Sequence, residues 1–192
     1  MTRHHSVSLA LTLAVASLVI AAAPAAGATT YTVRVGDDYF NPAVRAVARG
    51  DTVRWQNIGF KTHTVTLKNN FNFFTSRSLS PGQIYPKTFP GAGTYAYLCV
   101  IHPGQSGKIK VPLGLAKVSG TIVIKLATAS MSGFRHRIER KLGSGAWSLL
   151  ANTTATRYSF TPPRRGTWTF RARLESLGNG STSGWAKKSI TW

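Results

Sequence analysis

The sequence predicts an all-β protein made of two consecutive small sandwiches, on three observations. Apolar residues alternate with polar ones at period two in short runs. Turn residues punctuate those runs at close intervals, and no ten-residue apolar stripe of helical period competes with them. The 192-residue length leaves room for two cores. Hydrophobic residues at 43%, with nine Phe, six Tyr and five Trp, argue against wholesale disorder.

Residues 1–28 carry the pattern of an export signal. Arg3 gives a positive start, Val7 to Ala23 is apolar except for Ser8, Thr12 and Ser17, and Ala26-Gly27-Ala28 is an A-x-A cleavage site before Thr29. Read instead as an uncleaved anchor, the 17-residue run lies at the bottom of the spanning range and would tether the same domain outside the membrane. Either reading predicts a secreted or extracytoplasmic, surface-associated protein.

The chain then divides near Pro112 to Ala116, giving expected modules over 29–113 and 117–192. In the first, Tyr31, Val33 and Val35 alternate with Thr32 and Arg34, and Val53 and Trp55 flank Arg54. Thr62 to Leu67, Gln83 to Phe89, Thr94 to Cys99 and Lys108 to Val111 complete its strands. Turns are expected at Gly36-Asp37, Gly50-Asp51, Ser80-Pro81-Gly82, Pro90-Gly91 and Pro103-Gly104. In the second, strands are expected over Thr121 to Leu126, Phe134 to Lys141, Trp147 to Leu150, Tyr158 to Phe160, Gly166 to Leu174 and Lys187 to Thr191. Gly-Ser-Gly, Pro-Pro and Gly-Asn-Gly-Ser-Thr-Ser-Gly connect them. No internal repeat relates the two parts.

The formal net charge is +19, from 24 Lys+Arg and five Asp+Glu, which excludes an acidic, halophile-type surface. The excess is spread over both parts with no basic run longer than a pair, such as Arg164-Arg165. Nothing resembles a recognition helix or an aromatic RNA-binding motif, so no specific nucleic acid is expected. An anionic cell wall, polysaccharide or membrane surface suits an exported cationic chain better, because such attraction scales with net charge. The alternative is a basic composition with no specific partner, and a monomer is expected.

Cys99 is the most informative residue. One cysteine excludes an intramolecular disulfide, and a lone thiol outside the cell must be protected or used. It lies in Cys99-Val100-Ile101-His102-Pro103-Gly104, where a strand ends in a tight turn, so thiolate and imidazole can meet at one metal. His63, on a different strand, is the candidate third ligand. Two imidazoles and one thiolate with a weak axial group favour copper in an electron-transfer site. Zinc accepts the same donors but usually closes with four strong ligands. Gln105 is the candidate axial oxygen, because Met131, the only methionine beyond the signal, lies in the other part.

The text that joins these ligands is Tyr39-Phe40-Asn41-Pro42, Gly50-Asp51-Thr52-Val53-Arg54-Trp55-Gln56-Asn57, His63-Thr64-Val65-Thr66, Ser80-Pro81-Gly82, Gly93-Thr94-Tyr95-Ala96-Tyr97-Leu98-Cys99, His102-Pro103-Gly104 and Gly107-Lys108-Ile109-Lys110-Val111. In that order it resembles the cupredoxins, blue copper proteins of the plastocyanin and amicyanin kind, over roughly residues 30–112. The resemblance implies a Greek-key sandwich, one copper cycling between Cu(II) and Cu(I), and His63, Cys99 and His102 as equatorial ligands. It also implies a redox partner protein, which the sequence does not identify. Gln105 stands where the family usually has methionine. This resembles the stellacyanin-like members and implies a lower potential, since a harder donor favours Cu(II). His102 would be the exposed ligand through which electrons leave. Pro103 could join Tyr39 and Phe40 in an apolar docking patch, although ordinary packing is the expected role of those two aromatics.

The second part, with Phe134 to Arg140, Gly166 to Arg173 and Gly184-Trp185, resembles a fibronectin type III-like module. It is short for that fold, with an early strand missing or irregular. His136, between Arg135 and Arg137, is expected on the solvated face. Trp147, Trp168 and Trp185 are expected in the core, and Phe71, Phe73 and Phe74 as core and loop cover near the metal. The expected function is single-electron transfer without catalysis, because an oxidase or reductase needs more copper ligands than His136 can add. The alternatives are copper binding and delivery without a redox relay, and a basic adhesion protein that uses the first sandwich as scaffold.

Overall fold

The computed structural model describes residues 27–192, so the expected signal lies almost wholly outside them. Among the described residues there is no helix and every regular element is a strand. The first sandwich contains β1 (Thr30–Val35), β2 (Phe40–Asn41), β3 (Val44–Ala46), β4 (Thr52–Asn57), β5 (Thr66–Leu67), β6 (Ile84–Thr88), β7 (Gly93–Leu98) and β8 (Ser106–Val111). One sheet runs β2-β1-β4-β6 and the other β3-β8-β7-β5, with β1 parallel to β4 and β3 parallel to β8.

Alternation places the core. Val33 and Val35 of β1, Val53 and Trp55 of β4, Tyr95 and Tyr97 of β7, and Ile109 and Val111 of β8 all point inward. Trp55 is fully buried at the centre, edge-on to Tyr97 with ring centroids 5.3 Å apart. Gly107 lies against the Tyr97 ring, where a Cβ would collide with its hydroxyl. Strand is sparser than expected over Thr62 to Leu67: only Thr66–Leu67 pairs with β7, and His63 makes an isolated bridge to Leu79. That segment spends its backbone positioning a side chain.

The second sandwich contains β9 (Gly114–Val118), β10 (Thr121–Lys125), β11 (Phe134–Leu142), β12 (Ser148–Thr153), β13 (Arg157–Phe160), β14 (Thr167–Ser176) and β15 (Ala186–Thr191). Three strands in the order β13-β10-β9 and four in the order β12-β11-β14-β15 enclose Ile122, Ile124, Ile138, Phe160, Phe170 and Ala172. The early strand expected to be missing or irregular is present as β9, directly after β8, so the second sandwich starts at Gly114, within the expected division and three residues before 117.

The sandwiches are not beads on a string. Leu174 of β14 belongs to the first core, while Ala92 and Leu113 belong to the second. Thr94 and Gly184 exchange backbone hydrogen bonds of 2.9 and 2.7 Å, Ala92 N–H donates to the Leu126 carbonyl at 2.7 Å, and Thr128 N–H to that of Pro90 at 3.0 Å. Phe134 of β11 stands edge-on to Phe71 and Phe73, at 5.8 and 5.6 Å. Of the phenylalanines expected as core and loop cover near the metal, Phe71 and Phe73 therefore cover the junction, while Phe74 packs in the core on Trp55.

His136 also departs from expectation. It is 2% exposed, behind Gly91 and Met131. Its period-two neighbours Phe134 and Ile138 face inward, and that periodicity outweighs the charges of Arg135 and Arg137 beside it. Trp168 is core as expected, whereas Trp147 and Trp185 are only half-buried.

Candidate metal centre

The candidate ligands meet at the pole of the first sandwich away from the junction. β7 connects the poles: Thr94 at its start touches the second sandwich, and Cys99 follows its end, roughly 17 Å away at the rise of an extended strand. Alternation that buries Tyr95 and Tyr97 also turns Cys99 inward. The loop after it is closed by Cys99 N–H donating to the Gln105 carbonyl at 3.0 Å, with Gly104 at φ 85° making the turn. His63 is held by the two backbone hydrogen bonds it exchanges with Leu79, of 3.1 and 2.8 Å.

His63 Nδ1 lies 3.1 Å from His102 Nδ1 and 3.8 Å from Cys99 Sγ, and His102 Nδ1 lies 3.5 Å from the same sulfur. A circle through these three atoms has a radius of about 2 Å, close to the roughly 2.0–2.3 Å bonds of a transition-metal ion to imidazole and thiolate. One ion can therefore reach all three donors. His63 and Cys99 are buried, and His102 is half-buried.

Gln105 completes the pocket. It is 2% exposed, and its amide nitrogen donates to the Gly36 and Tyr39 carbonyls, each at 2.9 Å. Those bonds fix which end of the amide faces inward. Oε1 is left 3.0 Å from His63 Nδ1, aimed at the cluster. The structure thus brings together all four residues singled out from the sequence.

Burial acts to raise the Cys99 thiol pKa, but the Thr64 N–H, His63, and the Ile101 and His102 N–H groups outweigh it and bring it down to about 6. The Thr64 N–H points at the sulfur from 3.3 Å, while Thr64 Oγ1 accepts from the Val100 N–H at 2.9 Å. The sulfur is a thiolate at neutral pH, as a soft metal ligand must be.

A supporting shell escaped the sequence reading. Asn57 donates to the Lys61 and Leu79 carbonyls, each at 2.8 Å, and accepts from the Gly59 N–H at 2.9 Å. Asp37 accepts from the Phe60 and Lys61 N–H groups at 2.9 and 3.0 Å and lies 3.5 Å from His63 Nε2. Its pKa is lowered chiefly by the Lys61 N–H. Gly59 is required there, because a Cβ would strike the Asp37 carboxylate. These groups fix the backbone on either side of His63, whose Nδ1 is the nitrogen that points into the cluster while Nε2 faces Asp37 without a hydrogen bond.

Around the pole the surface carries several exposed apolar side chains. Phe60 is 93% exposed, and Tyr39, Ile58, Val100 and Ile101 are also exposed. Tyr39 is thus partly available as a surface group, whereas Phe40 packs on Tyr97 in the core as expected.

No family model matches the chain. An amicyanin from Paracoccus versutus is 34% identical over 76 residues, 38% of this chain and 57% of that protein, so the chain spans little more than half the length of this curated relative. Among solved structures, a reduced Cu(I) form at pH 4 of an amicyanin variant is 31% identical, covering 46% of this chain and 85% of that one, with a TM-score of 0.40. A Cu(I) amicyanin variant carrying glutamine in place of a methionine is 30% identical, covering 43% and 81%, with a TM-score of 0.40. A purple cupredoxin from Nitrosopumilus maritimus is 23% identical, covering 42% and 97%, with a TM-score of 0.39. Homology to the amicyanin kind of cupredoxin extends over about 40% of the chain.

Proposed function

We propose that the chain is an extracytoplasmic blue copper protein that carries single electrons. One copper would be held by His63, Cys99 and His102, with the Gln105 amide oxygen as axial ligand. The convergence of two imidazole nitrogens and a thiolate within 3.1 to 3.8 Å carries this reading, and the homology to an amicyanin supports it. The character of this fourth donor favours copper over structural zinc. A neutral amide oxygen locked by two backbone carbonyls is a weak axial group rather than a fourth strong ligand.

When bound, copper supplies the one-electron Cu(II)/Cu(I) couple. The chain does the rest. Cys99 donates a thiolate already stabilised by the Thr64 N–H, and the hydrogen bonds of Asn57 and Gln105 hold the pocket in one shape. His102, the only half-buried ligand, brings an imidazole edge to the surface. The apolar collar of Tyr39, Ile58, Phe60, Val100 and Ile101 around it suits a redox partner that docks briefly and leaves.

The three-on-four strand arrangement supports reading the second sandwich as fibronectin type III-like. With the charge of +19, it suits a module that holds the copper domain at an anionic surface.

The test is the visible and electron paramagnetic resonance spectrum before and after one equivalent of Cu(II). An intense thiolate-to-copper band, abolished in Cys99→Ala, is expected together with rapid, reversible redox cycling. A colourless protein that takes up no copper overturns the reading. Copper passed readily to an acceptor without redox cycling would replace it with delivery.

A further inference from the structure

We propose that the outer face of the sheet β12-β11-β14-β15 binds an acidic polysaccharide. The proposal rests on the reading of this module as a surface anchor and gives that anchor a face and a ligand class.

Period two builds the face. Arg135, Arg137 and Lys141 of β11 and Arg171 and Arg173 of β14 are half-exposed on the outer face, whereas Glu139 and Glu175, which share that face by alternation, are buried among them. The register sets Arg137 directly opposite Arg173, and Arg171 directly opposite Lys187 of β15. Like charges facing each other across strands destabilise a sheet, so fold stability does not account for two such pairs on one face. The carboxylates offset them only in part. Glu139 accepts from both Arg137 and Arg171, and Glu175 from both Arg135 and Arg173, so each anion serves two cations and Lys141 and Lys187 are left over. Arg173 Nε is buried with no partner.

Two aromatic rings complete the surface. Trp147 and Trp185 clasp the Arg171 guanidinium at 4.3 and 4.4 Å, and Arg173 lies over Trp185 at 4.6 Å. This use explains why neither tryptophan is in the core. Stacking orders the guanidiniums before any ligand arrives, which lowers the entropic cost of binding. The result is a flat, fixed array of cations, about 4.8 Å apart across the strands, beside ring edges. Repeating anions on sugar rings fit it, because carboxylates or sulfates spaced along a polymer meet the fixed cations in turn. A bilayer fits it less well, since membrane anchoring requires apolar groups to insert and both rings are tied to cationic side chains.

Binding to polygalacturonate, measured by calorimetry at several salt concentrations, tests the proposal, with dextran as neutral polymer and phosphatidylglycerol vesicles as anionic bilayer. Polygalacturonate is expected to bind, more weakly as salt rises, and dextran not to bind. Arg137→Gln with Arg173→Gln is expected to weaken binding at least tenfold. Arg164→Gln with Arg165→Gln removes the same charge from an exposed loop outside this face and is expected to change it less than threefold. Lys141→Gln with Lys187→Gln, which breaks no ion pair, should weaken binding severalfold and keeps the test valid should the arginine variant unfold. Equal losses from face and loop variants would overturn the assignment of the face while leaving an anionic anchor standing. Binding to vesicles but not to polygalacturonate would overturn the glycan in favour of a membrane. Binding to neither would remove the anchor reading along with the proposal.

Discussion

The two poles of the first sandwich each enclose a buried histidine, and the two imidazoles are treated oppositely. His63, fully buried at the metal pole, has Gln105, His102 and Cys99 around Nδ1 and Asp37 near Nε2. His136, equally enclosed at the junction pole, has Gly91 and Met131 beside it; Nε2 makes no hydrogen bond in either ring, but only His63 has a carboxylate near that nitrogen. Burial alone therefore does not mark a ligand. What distinguishes His63 is that other donors converge on the same nitrogen, whereas apolar surroundings simply keep His136 neutral.

The largest expected effect tests the His136 half of that contrast. Burial pushes its pKa down to about 4, whereas the unfolded chain's imidazole titrates near 6.5. Between those values the unfolded state takes up a proton that the folded state does not. Stability is therefore fully present above pH 6.5 and falls as the pH drops toward 4, by roughly 3 kcal/mol from this group. Urea midpoints at pH 7 and pH 4.5 should separate in the natural protein and draw together in His136→Leu. An equal separation in the variant would mean that His136 finds a buried partner for its proton.

The junction itself gives the next effect. Phe134 is half-buried against Phe71 and Phe73, so Phe134→Ala should cost about 2 kcal/mol, less than the roughly 3–5 of a fully buried ring. Because the ring joins two cores, calorimetry should also show one unfolding transition broadening or splitting into two. A single sharp transition at a lower temperature would place the coupling in the backbone bonds of Ala92, Thr94 and Thr128 instead.

The legible parts of this molecule were those written in local pattern. Alternation at Val33 and Val35, Val53 and Trp55, and Tyr95 and Tyr97 located the sheets, and the Cys99 to His102 spacing located the cluster. β9 was illegible because Gly114–Val118 follows Pro112 without alternating burial, and it becomes a strand only by pairing with β10. Asp37 and Asn57 were illegible as supports of His63 because such contacts depend on loop closure and leave no period in the sequence. His136 was misplaced for a different reason: its charged neighbours were weighted above its period. Trp147 and Trp185 differ from Trp168 in a way the sequence does not show, because an aromatic residue that stacks on arginine looks, in sequence, like one that packs in a core.

The finest test separates a ligand from a bystander at the metal pole. Gln105 could aim its oxygen at the cluster merely because its nitrogen is bound to Gly36 and Tyr39. If the oxygen coordinates, Gln105→Met replaces a harder donor with a soft thioether and stabilises Cu(I) relative to Cu(II). The reduction potential should then rise by about 59 mV or more, a tenfold shift in a one-electron equilibrium, while the thiolate-to-copper band survives. The same change takes the donor from the buried Gly36 carbonyl, while the Tyr39 carbonyl keeps the Gly36 N–H, so the variant should also lose about 1 kcal/mol of stability. A protein destabilised to that extent but unchanged in potential would assign Gln105 to holding the Gly36 to Tyr39 loop and leave the metal three-coordinate.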